Sequence, residues 1–144
     1  MTLDEIRKLV GVDLIMDETE LDKESMKTPQ IHNKYLIFHT DEKLILGKMK
    51  SDFNVIRKNK WLYYTGKLSK EELDEFGWDT FDLNILKTDI DKFLDSDEDI
   101  IALANRIFLQ QEKVNYLESV IKIINNRQWY IRSVIDWLKF TSGV

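Results

Sequence analysis

The chain has 144 residues, 21 Lys and Arg against 26 Asp and Glu for a net charge of −5, 43% hydrophobic and 11% aromatic residues, 5 Gly, 1 Pro and no Cys. That is material for one helical domain with a sizeable core, or at most two small ones, and it excludes a disordered chain, a disulfide framework, thiolate metal sites, a Cys nucleophile and a turn-rich β-sandwich. No apolar run nears the roughly 18 residues of a membrane span and MTLDEIRKLV has no signal-peptide pattern, so a soluble intracellular protein without membrane contact is expected.

In chain order, residues 2–10 read as a short amphipathic helix, with Thr2 as cap and Asp4 and Glu5 at the positive end of its dipole. Residues 17–25 offer a further helical turn or two. Thr28-Pro29 is the first strong start signal, since Thr caps well and Pro suits the first helical position. The stop is Thr65-Gly66, so one long helix is expected over about 29–64. Residues 66–80 form an acidic loop with a short helix at about 69–76. Residues 81–94 fit either a short helix or an extended segment. Ser96-Asp97-Glu98-Asp99 opens a last helix, about 97–140.

That last helix carries the clearest periodicity in the chain. Leu103, Ile107, Gln110, Val114, Leu117, Ile121, Ile124, Gln128, Ile131, Ile135 and Leu138 follow alternating steps of four and three, and nine of the eleven are apolar. A helix of more than 40 residues reaches about 60 Å, about twice the roughly 30 Å width of a globule of this size. It must therefore pack on the other long helix, on a neighbouring copy, or on both. The nine apolar seam residues are the expected oligomerisation contacts. Gln110 and Gln128 either pair across that interface to set its register or lie near water.

Catalytic signatures are missing. There is no Walker loop, G-x-G-x-x-G, G-x-S-x-G or H-E-x-x-H. His32 and His39 share a face two turns apart, too far to grip one metal. Asp95-x-Asp97-x-Asp99 begins like a calcium loop, but Ile100 replaces the required glycine and Arg106 the closing glutamate. No enzyme activity and no cofactor or metal are expected.

The charge is unevenly laid out. Residues 41–70 hold 8 basic and 3 acidic side chains, and residues 71–100 hold 2 basic and 12 acidic. Within the basic block, Arg57, Lys58, Lys60 and Lys67 are interleaved with Trp61, Tyr63 and Tyr64. Lys43, Lys50, Arg57 and Tyr64 recur every seven residues, forming one stripe on the long helix. Cations two turns apart follow a phosphate backbone, and Trp61 or Tyr64 suits stacking on exposed bases, a combination that favours single-stranded over duplex nucleic acid. The same residues also fit a structural role, with Trp61, Leu62 and Tyr63 anchoring the helix end and the cations forming a solvated face.

PQIHNKYLIFH at 29–39, KNKWLYYTGK at 58–67, VNYLESVIKIINNRQWYIRSVIDWLKFTSG at 114–143 and DLIMDETELDKES at 13–25 together resemble the UvsY family of tailed-phage recombination mediators, particularly the cyanophage versions. The elements read above amount to an all-α fold of two long helices plus short N-terminal helices. The resemblance implies a protein without ATPase or nuclease activity that binds single-stranded DNA, a RecA-like phage recombinase and the phage single-strand-binding protein. It also implies assembly through the C-terminal region into a ring-like, hexamer-like homo-oligomer, acting in the cytoplasm of the infected host. The family's DNA motif maps onto Lys58, Lys60, Tyr63, Tyr64 and Gly66, with Lys60 standing where an Arg is found and Trp61 where an aliphatic is found. One helical domain is then expected: residues 1–67 carry the DNA-binding helix, 68–95 an acidic connector and 96–144 the oligomerisation helix. A helical scaffold that binds no nucleic acid is the competing reading.

Overall fold

The computed structural model describes residues 1–143, and every regular element among them is helical. The chain groups into two compact units, Met1–Leu44 with Gln111–Val144, and Ile45–Gln110. No helix among the described residues is long and apolar enough to cross a membrane.

In the first unit, α1 (Leu3–Asp13) starts from a capping box. The Glu5 N–H donates to Thr2 Oγ1 at 3.1 Å while the Thr2 N–H donates to Glu5 Oε2 at 2.7 Å. Its apolar stripe, Ile6 and Val10, is buried in one cluster with Tyr35, Leu117, Val120 and Ile124. Lys34 and the Tyr35 hydroxyl both donate to Asp13 Oδ2 at 2.7 Å, tying the end of α1 to the next helix. A turn comes next, in which Asp17 accepts from the Thr19 N–H and hydroxyl.

The long helix α2 (Leu21–Tyr64) begins before the expected Thr28-Pro29 start and carries Pro29 inside it. Proline has no N–H for the carbonyl four residues back, which here belongs to Ser25. That carbonyl accepts instead from Gln128 Nε2 at 3.1 Å, and the Ser25 hydroxyl donates back to Gln128 Oε1 at 2.9 Å. Thr28 is therefore no cap; its hydroxyl accepts from Arg127 Nε at 3.2 Å. Arg127, 3% exposed, also reaches the Glu24 carboxylate and, at 3.1 Å, the Glu24 carbonyl. Gln128 therefore serves the fold of its own chain.

The expected single last helix is two: α5 (Glu98–Asn125) and α6 (Arg127–Ser142), parted at Asn126. The Asn126 N–H is shared between the carbonyls of Lys122 (3.2 Å) and Ile123 (3.1 Å), and consecutive asparagines are poor material for a helix interior. The seam residues do not form one exposed stripe. Val114, Leu117, Ile124 and Ile131 are buried, Leu117 and Ile124 completely. Ile121 packs against the core of the first unit, and Leu103, Ile107 and Ile135 are half-buried. Leu138 is 47% exposed. Gln110 is buried as well. For Leu117 and Ile124 the expectation of a contact between copies is corrected: they cover α1 and Tyr35 of α2.

In the second unit, α2 ends in a Schellman motif built on Gly66 (φ +71°): the Lys67 N–H bonds the Leu62 carbonyl at 2.9 Å and the Gly66 N–H that of Tyr63 at 3.2 Å. Helix α3 (Lys70–Phe76) starts from a Ser69–Glu72 capping box. Residues 78–86 form no regular element, and a 3₁₀ turn (Lys87–Asp89) leads into α4 (Ile90–Asp95), so the 81–94 stretch is part irregular and part helical. Asp97 caps α5, its Oδ1 accepting from the Ile100 N–H at 3.0 Å. Ile90, Leu94 and Ile100 form the core here, with Phe53, Ile56, Tyr64 and Ile85 against it.

Candidate nucleic-acid interface

The basic, aromatic end of α2 is held by side chains and backbone from residues 78–97. The Tyr63 hydroxyl donates to the Asp79 carbonyl at 2.7 Å, and its ring packs near Tyr64, Trp78 and Phe81 at centroid distances of 5.1, 5.3 and 5.5 Å. Tyr64 packs edge-on to Phe81 at 5.0 Å and lies 5.6 Å from Phe93. Its hydroxyl donates to Asp97 Oδ2 at 2.6 Å. Both tyrosines thus serve the aromatic cluster first, and Trp78, Phe81 and Phe93 are members that sequence reasoning missed. For Trp78 and Phe81 the one signal was the density of rings at 76, 78 and 81, where an acidic loop passes into the 81–94 stretch; Phe93 lay in that stretch with no signal of its own.

The cations divide into two sets. Lys60, only 5% exposed, places its ammonium 3.2 Å from Asp97 Oδ2 and 2.8 Å from Asp99 Oδ2, and 4.0 Å from the centre of the Trp78 ring. Arg57 lies 3.7 Å from Asp91 and 3.6 Å from Asp95, carboxylates that are 81% and 71% exposed. Lys60, expected as a DNA-binding residue, is thus placed against carboxylates. It is a buried counter-charge, whereas the Arg57 pairs are exposed, weak and easily exchanged. Lys43, Lys50, Lys58 and Lys67 are exposed and have no carboxylate in ion-pair range among the described residues. Lys67 rests its ammonium 4.4 Å from the centre of the Trp61 ring, and Trp61 is itself 38% exposed. The acids at the start of α5, expected only to complement its dipole, thus also neutralise part of the basic block.

Protonation is set by this packing. Burial pushes the Asp97 carboxyl up, but hydrogen bonds from Tyr64, the Ile100 N–H and Lys60 outweigh it, and the group sits below its ordinary range. Tyr64 is raised by burial and by the Asp97 carboxylate it serves. Asp13 and Tyr35 repeat the pattern in the first unit: burial opposes Asp13 ionisation, bonds from Lys34 and Tyr35 overcome it, and Tyr35 is raised. No group of three or more acidic or histidine side chains among the described residues is placed to hold a metal ion.

What remains on the surface is an array of lysine ammoniums and one indole beside a helix stop, suited to a flexible polyanion bearing exposed rings. A family model described as "Recombination, repair and ssDNA binding protein UvsY" matches residues 10–144. The recombination protein uvsY of Enterobacteria phage T4 is 22% identical over 143 residues, covering 99% of each chain. Crystal structures of the bacteriophage T4 recombination mediator protein UvsY superpose with a TM-score of 0.85 in lattice type IV, at 17% identity, covering 97% of this chain and 99% of that one. In lattice type II the TM-score is 0.83 at 19% identity, with 99% of each chain covered. At such identities the structural likeness speaks for the fold.

Proposed function

This chain belongs to the UvsY family, and from that premise we propose that it is a recombination mediator. It binds single-stranded DNA and helps load a RecA-like recombinase onto DNA coated by a single-strand-binding protein, in phage recombination, repair and replication in the host cytoplasm. The supporting observation is the exposure of Lys58, Trp61 and Lys67 at the end of α2, beside the glycine stop of the Y-Y-T-G run. Lys50 and Lys43 extend the cationic surface. Arg57 joins once phosphate displaces its exposed carboxylates, while Lys60, Tyr63 and Tyr64 hold the helix end in shape.

Each protomer offers only a few free cations, so the reading includes assembly into a ring-like homo-oligomer that repeats the patch and gains by effective concentration. Trp129, Trp137 and Phe140 on α6 are 66%, 62% and 77% exposed, and with Leu138 they supply apolar surface suited to such contacts. The deciding experiment is oligonucleotide anisotropy across a salt series, with filament assembly of a RecA-like recombinase on coated strands as the second readout. On a single strand, the affinity exponent falls by about 0.7 per phosphate neutralised. Lys58→Ala with Lys67→Ala should therefore flatten the slope by about 1.4 while leaving the solution mass unchanged. A parent chain that ignores oligonucleotide at low salt, yet keeps its assembly, returns the scaffold reading.

A further inference from the structure

We propose that the cleft beside the Y-Y-T-G stop is a base pocket, taking one unstacked nucleotide of a single strand with its ring against the aromatic wall and its phosphates toward Lys67 and Lys87. The inference rests on the single-strand-binding reading and adds to it a segment, 81–87, that the cationic stripe never included. The cleft has a volume of about 500 Å³ and lies between the end of α2 and the irregular run into the 3₁₀ turn. That is the size range of small-ligand sites, and it suits one nucleotide.

Its chemistry points to a base. Trp61, Tyr64 and Phe81 line it. The Tyr64 and Phe81 rings are locked edge to face at 5.0 Å, with the Tyr64 hydroxyl pinned to Asp97, so this wall is rigid before any ligand arrives. Asn84 lines the opposite segment and is exposed; its amide offers both a donor and acceptors to a base edge. Lys67 and Lys87 line the cleft, are exposed, and pair with no carboxylate among the described residues. The Lys67 ammonium lies 4.4 Å from the centre of the Trp61 ring, so a phosphate that draws it away uncovers the indole for stacking. Asp82 and Asp91 also line the cleft, Asp91 being 3.7 Å from Arg57. Two carboxylates against two ammoniums make a poor trap for a bare anion. Discrimination therefore falls to the rings and the amide.

The test compares oligo-dT with an abasic strand of equal length, which keeps every phosphate and loses every base. The parent should bind oligo-dT about tenfold more tightly, as expected of base stacking on an aromatic surface. Trp61→Ala and, separately, Asn84→Ala should each shrink that ratio to about twofold, with helicity by circular dichroism unchanged. Lys87→Ala should weaken both strands equally and flatten the salt slope by about 0.7. If Trp61→Ala and Asn84→Ala both keep the tenfold ratio, or if Lys87→Ala alters the solution mass and leaves DNA affinity alone, the pocket is overturned; the second outcome makes the cleft a contact between proteins. A parent that binds neither strand at low salt overturns the DNA-binding reading itself, and the pocket with it.

Discussion

Replacing Lys60 by Met removes one charge and keeps most of the stem. The substitution strands Asp97, which is 4% exposed at its side chain, without its ammonium. Removing one partner of a buried ion pair costs about 3–5 kcal/mol. Asp97 retains the Tyr64 hydroxyl and the Ile100 N–H, which favours the lower end. The ammonium's contact with the Trp78 ring, at 4.0 Å, is worth about 1 kcal/mol more. A loss of about 3–4 kcal/mol is expected, lowering the urea midpoint by about 1–4 M at a fixed protomer concentration. Unfolding should be tracked by near-ultraviolet dichroism, which reports the packed rings. Under conditions where the variant stays folded, its salt slope for oligonucleotide should match the parent's. A variant as stable as the parent, with a slope flatter by about 0.7, would show that Lys60 leaves its carboxylates for phosphate and would refute the assignment.

The same contacts carry other consequences. Leu117→Ala should cost about 2–5 kcal/mol of protomer stability, seen as a lower melting temperature, because this fully buried side chain belongs to the core of its own chain. Gln128→Ala should cost about 1 kcal/mol, the net worth of the hydrogen bonds it exchanges with the Ser25 hydroxyl and carbonyl. In a Pro29→Ala background, where a backbone N–H again serves that carbonyl, the cost should fall by at least about 0.5 kcal/mol, which a double-mutant cycle measures. Stability should fall at both ends of the pH range. Asp13 and Asp97 are held below the ordinary value, so their contribution is present above the unfolded pKa of about 4 and is lost as pH falls through the lower folded values. Tyr35 and Tyr64 are raised, so theirs is full below about pH 10 and lost above it. Tyrosinate absorbance of the folded chain should lag behind that of the urea-unfolded chain, and coincident titrations would contradict the hydroxyl–carboxylate pairs.

Elements with local signals were legible in the sequence. The Thr2 cap, the short helix near 69–76, the Gly66 stop and the acidic start of α5 all rest on signals within one or two turns, and each lies where its residues place it. What was not legible depends on partners distant in sequence. Pro29 looks like a helix start until Gln128, 99 residues later, is seen to serve the carbonyl the proline leaves open. A heptad seam says that a helix face is covered without saying by what, and α1 with Tyr35 covers Leu117 and Ile124 before any second copy arrives. At the candidate site, Lys58, Trp61 and Lys67 fulfil the surface expectation. Lys60 departs from it because its carboxylates lie 37 and 39 residues onward, in a stretch that also read naturally as a helix cap.

The Schellman stop at Gly66 constrains length as well as identity. Successive helical residues are about 100° apart around the axis. One residue inserted or deleted between Lys60 and Tyr63 would swing the preceding face by that angle against the anchored rings. Lys60 would leave its carboxylates, and a neighbouring side chain would take its buried place. Residues 78–86, which form no regular element, carry no such angular clock. Their packing holds them instead: Trp78, Asp79, Phe81 and Ile85 touch the helix end or the core, so natural variation in chain length should be purged from 60–66 and from 78–86 alike.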